Sequence, residues 1–132
     1  MDQVKAITKK DKYKTIITSD DHTIIADEPF DLDGQNLGMN PGELLCSSLA
    51  SCTSITLRMY SDRKEWNVSE IEVNVELNKE DKDNTFLARK VLITGKLDEK
   101  QQSRMLAIAN ACPIHKLLEK GIAISTEIEF KN

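Results

Sequence analysis

The sequence predicts an α+β domain in which antiparallel sheets pack on one long apolar helix, and three observations carry that prediction. Short β-branched runs separated by turn residues fill the first third of the chain. Residues 40–59 then place Leu45, Leu49, Cys52, Ile55 and Met59 at helical spacing, with Ser47, Ser48, Ala50 and Ser51 between them. Beyond that, Ile71, Val73, Val75 and Leu77 alternate with Glu72, Asn74 and Glu76, the period of a strand with one wet face. The order of strands, helix, strands, helices and a last strand fits a buried helix against antiparallel sheet.

Each element has its own local reason. A first strand starts around Val4 and Ala6, and residues 13–18 form a second. Ser19, Asp20 and Asp21 turn the chain into a third β-branched run over residues 23–27. Residues 29–38 read as loop, with Asp31, Asp33, Gly34 and Asn36 as turn formers. The long helix opens with Asn40 as cap, Pro41 in its first position and Glu43 placed to close a capping box. Its small residues allow a close neighbour, and it ends near Trp66 and Asn67. The strand at residues 71–77 turns through residues 81–84. Leu87, Val91, Ile93 and Leu97 share one parity, so a second strand returns antiparallel. Asp98 with Gln101 caps another helix that carries Met105, Ile108 and Ala109. Pro113 breaks it at Cys112 and starts a short helix that Gly121 stops. Ile122, Ile124, Ile128 and Phe130 alternate as a last strand.

With 132 residues the chain reads as one domain, 1–132. It is 39% hydrophobic and 30% charged, as an ordinary globular protein is. Lys and Arg number 18 against 22 Asp and Glu, and the positive charges are scattered, which argues against a nucleic-acid partner. No apolar run approaches the ~20 residues of a spanning helix, so no membrane attachment is expected. Residues 1–5 lack a signal peptide's apolar stretch. Three cysteines, an odd number, fit reduced thiols in the cytoplasm better than a disulfide framework.

Chemistry, if present, falls to two of those cysteines. Cys112 occupies the cap position before Pro113, where free backbone N–H groups favour a thiolate. Cys52 lies mid-helix on the apolar stripe, where desolvation favours the thiol and the dipole gives little help. Simple packing is the competing reading for each. Cys46 points about 120° away from Cys52 on a straight helix and reads as packing. That divergence also argues against a zinc set built from Cys46, Cys52, Cys112 and His115, and no Cys-x-x-Cys is present. His22 reads as a turn residue and His115 as exposed or capping. No cofactor motif stands out.

The run Asn40-Pro41-Gly42-Glu43-Leu44-Leu45-Cys46-Ser47-Ser48-Leu49-Ala50-Ser51-Cys52-Thr53 resembles the central helix of the OsmC-like family, which includes OsmC and the organic hydroperoxide resistance proteins. Ala111-Cys112-Pro113-Ile114-His115-Lys116 resembles that family's second motif, and the order of elements agrees over nearly the whole chain. The resemblance implies an intertwined homodimer with sheets wrapped around two central helices. It implies a thiol-dependent peroxidase for oxidative-stress defence. Cys52 would attack an organic hydroperoxide, Cys112 would resolve the sulfenic acid, and a dithiol reductant would reset the pair. Two positions depart from the family pattern. The peroxidases use an arginine from the early strand-loop region, and no arginine precedes Arg58 here. They also use a glutamate ten positions before the reactive cysteine, where this chain has Gly42, with Glu43 one place off. Glu43 is therefore a candidate that reaches Cys52 only after a helix break or across the dimer. The alternative is a non-catalytic protein of this fold that binds an apolar ligand or senses redox state in the dimer cleft. Cysteines that only pack are the plainest reading.

Overall fold

The computed structural model describes residues 1–132. Its elements are β1 (Lys5–Thr8), β2 (Thr15–Thr18), β3 (Thr23–Ala26), α1 (Pro41–Arg63), β4 (Val68–Asn78), β5 (Phe86–Gly95), α2 (Glu99–Ala109) and α3 (Pro113–Lys120). The α+β reading holds, with a three-stranded sheet β1-β2-β3 and a β4–β5 hairpin. Two compact units divide the chain: Met1–Ser48 with Val75–Ala88, and Leu49–Asn74 with Arg89–Asn132.

In the first unit, β1, β2 and β3 form an antiparallel meander with Ile17 opposite Ile24 and Ile16 opposite Ile25. The loop after β3 folds back on the strand end through Asp27. The buried Asp27 carboxylate accepts from the N–H groups of Tyr13 (2.9 Å), Glu28 (2.7 Å) and Leu37 (3.2 Å). Burial pushes its pKa up, but the N–H donors of Tyr13, Glu28, Leu37 and Gln35 outweigh that and hold it below the usual value. Gly38 lies so close to the Ile25 carbonyl that any Cβ there would collide with it. The expected capping box at α1 forms, with Asn40 Oδ1 accepting from Glu43 N (2.8 Å) and Glu43 Oε1 accepting from Asn40 N (3.0 Å).

In the second unit, Leu57 and Tyr60 of α1 and Met105 and Ala109 of α2 form the buried core, covered by Trp66, Ile71, Val91, Ile93, Leu97 and Ile108. Alternation in β4 and β5 supplies that cover from one face of the hairpin. α2 carries the capping box expected of Asp98 and Gln101.

α1 stops at Arg63, earlier than the expected end near Trp66. Glu65 takes φ 58°, Trp66 N–H donates to Ser61 O (2.9 Å), and Glu65 N–H donates to Asp62 O (3.1 Å). That is a Schellman stop with glutamate at the left-handed position that glycine usually fills. Glu65→Gly is therefore expected to raise stability by about 0.5–1 kcal/mol, read as a higher urea midpoint at unchanged slope.

One expected element is missing. Residues 121–132 form no strand and are exposed throughout. Their alternation marks a face to be buried, but a strand also needs a neighbour to pair with, and within this chain no strand pairs with them.

Candidate active site

The candidate site lies within the second unit, where α1, β5 and the α2–α3 corner meet. α1 contributes Cys52 and Thr53. Cys112 is the N-cap of α3, with φ −63° and ψ 144°, as expected of the residue before Pro113. Thr53 and Cys112 are fully buried, both at 0%, whereas Cys52 is half-buried.

Cys112 Sγ sits among donors. The backbone N–H of His115 donates to it at 3.4 Å, the Thr53 hydroxyl lies at 3.7 Å, and the Cys52 thiol is a neighbour. Burial pushes the Cys112 thiol up. The His115 N–H, the Thr53 and Cys52 side chains and the Arg89 charge more than offset it, so the thiol ionises below its ordinary value. The Thr53 proton has two possible acceptors, because its hydroxyl also lies 2.7 Å from Leu49 O. Thr53 accepts from a Cys112 thiol while its proton is on Leu49, and donates to a Cys112 thiolate when it turns.

Arg89 of β5 holds the site together. Its Nη1 donates to Thr53 Oγ1 (3.0 Å), and its Nη2 donates to Asn110 Oδ1 (3.1 Å) and His115 Nδ1 (2.9 Å). A guanidinium only donates, so His115 Nδ1 accepts and Nε2 carries the proton toward Glu119 Oε2 at 3.1 Å. Every hydrogen-bond partner of Arg89 is neutral, and it forms no ion pair with a carboxylate. Its charge acts on the Cys112 sulfur.

Cys52 and Cys112 are thus brought together. Glu43 is occupied in the α1 cap of the first unit, nine positions before Cys52 in the sequence. Cys46 is half-buried in the first unit, and His22 is exposed in the β2–β3 turn. No group of three or more His, Cys, Asp or Glu side chains converges to hold a metal. No motif in the sequence marks Thr53, Asn110 or Arg89 as site residues, and it offers His115 as a capping or exposed residue or as a member of the disfavoured zinc set. Arg89 was detectable, because it shares the inward parity of Leu87, Val91 and Ile93. An apolar cavity of about 250 Å³ lies beside the site, lined by Leu57, Val91, Ile93, Met105, Leu106 and Ala109 among others. Leu57 is one helical turn from Thr53, and Ala109 directly precedes Asn110.

A family model described as OsmC-like protein matches residues 34–127. Several solved structures share the fold. An OsmC-like protein from Mycoplasma pneumoniae is 21% identical with a TM-score of 0.74, over 89% of this chain and 86% of that one. The organic hydroperoxide resistance protein OhrB of Bacillus subtilis is 24% identical with a TM-score of 0.57, over 86% and 87%. A protein of Legionella pneumophila described as an organic hydroperoxide resistance protein OsmC is 20% identical with a TM-score of 0.61, over 86% and 85%. Among curated proteins none matches the sequence.

Proposed function

The chain belongs to the OsmC-like protein family, and from that premise we propose that it is a thiol-dependent peroxidase reducing organic hydroperoxides with Cys52 and Cys112. The observation that carries the reading is a half-buried thiol neighbouring a second, fully buried one whose sulfur accepts from the His115 N–H at the start of α3. Cys52, the more accessible of the two, attacks the outer peroxide oxygen. Alcohol leaves, and Cys52 becomes a sulfenic acid. Cys112 attacks that sulfur, forming the disulfide and releasing water. A dithiol reductant of the cytoplasm returns both thiols. The apolar cavity lined by Leu57, Val91 and Ala109 suits the hydrocarbon part of the substrate, which favours organic hydroperoxides over hydrogen peroxide. Rapid mixing of the reduced protein with cumene hydroperoxide should consume one peroxide per chain and yield a Cys52–Cys112 disulfide by mass spectrometry. Undiminished peroxide with both thiols intact would sink the proposal.

The working unit is proposed to be an intertwined homodimer. Ile55 (57% exposed) and Met59 (63%) of α1 face open solvent in the single chain, and a second copy would cover them. Glu43 acts, on this reading, across the dimer. Only its Oε1 is used by the cap. Glu43→Gln retains the cap, so melting should be unchanged while peroxide turnover falls several-fold. Turnover equal to the unsubstituted protein removes Glu43 from the site.

The apolar cavity also supports a second reading, a non-catalytic binder of a lipid-like molecule. Native mass spectrometry of freshly isolated protein, showing empty chains only, counts against that alternative.

A further inference from the structure

Resting on the peroxidase reading, we infer that the negative charge of the reduced dithiol is stored on Cys112, and that Cys112 is the base that takes the Cys52 proton before it resolves the Cys52 sulfenic acid. Three features of the site lead there. The donors converge on Cys112 and not on Cys52: the His115 N–H at the N-cap, the Thr53 hydroxyl and the Cys52 thiol itself. Arg89, whose hydrogen-bond partners are all neutral, lies behind Thr53 and His115 and adds its charge to the same sulfur. And Cys112 is fully buried, so the hydroperoxide meets Cys52.

The charged and titratable groups facing Cys112 are Cys52 from α1, Arg89 from β5 and His115 from α3, with Glu119 on the far side of the His115 ring. The reaction balances on these groups. The Cys52 proton moves to Cys112 as Cys52 sulfur bonds to the outer peroxide oxygen. The O–O bond breaks, its electron pair leaves on the alkoxide, and Cys52 is oxidised to the sulfenic acid. The alkoxide takes the proton back from Cys112 and leaves as alcohol. The Cys112 thiolate then attacks Cys52 sulfur, and the expelled hydroxide takes one proton from solvent to become water.

A residue that only resolves has no effect on the first step, and this separates the two roles. In Cys112→Ser, sulfenic acid formation on Cys52, trapped with dimedone after mixing with cumene hydroperoxide, should fall by about tenfold or more near neutral pH. It should recover as rising pH supplies hydroxide in place of the missing base. An unchanged rate across the pH range overturns the inference. The location of the charge is tested without peroxide. Thiolate ultraviolet absorbance should titrate below the ordinary cysteine range in Cys52→Ser and lose that low-pH component in Cys112→Ser. The opposite pattern overturns the inference. Cysteine Cβ NMR signals of the unsubstituted reduced protein give the same answer if Cys112→Ser fails to fold. Should the charge titrate on Cys112 while no peroxide is consumed, the peroxidase reading fails and the charge assignment is supported.

Discussion

Replacing Arg89 by methionine is expected to lower peroxide turnover about a hundredfold at neutral pH while the chain stays folded. Methionine fills similar space, so the loss isolates the guanidinium. That group donates to Thr53, Asn110 and His115 at once and sets its charge beside Cys112. Removing one preorganised donor from such a site commonly costs two to three orders of magnitude, or about 2.7–4 kcal/mol. The pH dependence gives the sharper reading. Arg89 lowers the Cys112 pKa, so its loss raises that pKa, and activity returns only at higher pH. Arg89→Lys keeps the charge but not the planar fork, so it should restore part of the turnover and most of the pH profile. A methionine variant with the original turnover and profile would show that Arg89 only packs.

The second large effect concerns the end of the chain. Ile122, Ile124, Ile128 and Phe130 are 62%, 88%, 76% and 91% exposed. Fully burying a side chain of this kind is worth about 1.5–3 kcal/mol, so four together outweigh much of the cost of association. The double substitution Ile124→Asp, Ile128→Asp should convert a dimer to monomer over the micromolar range, measured by sedimentation velocity. If the unsubstituted protein sediments as a monomer there, or the variant remains dimeric, this segment does not hold two copies together.

Much of this was legible in the residues. The long helix, its Asn40–Glu43 cap, the hairpin and the Cys112 N-cap all follow from local rules, and each forms. What failed to show was non-local. The family pattern puts its arginine in the early strands, and this chain has none before Arg58. The inward parity of β5 already held Arg89 between Leu87 and Val91, a charge on an apolar face with no reason to be there but a partner. Nothing in the helix pattern of α1 marks Thr53, because its importance rests on a side chain 36 positions away. The last strand misled for the opposite reason. Its alternation is clear, yet alternation says which face is buried and not what covers it.

The contacts of Arg89 also set when in the life of the chain its chemistry begins. They join residues 36, 26 and 21 positions apart, and the Thr53–Cys112 contact spans 59. Contacts of such separation carry the loop-closure cost of folding and close late. Until then Cys112 lacks its cap, its neighbouring charge and its burial, and its thiol is that of an open peptide, exposed to solvent and without its donors. Folding closes Cys112 to solvent as it assembles these contacts, so the loss of thiol labelling at Cys112 becomes a clock for the completion of folding.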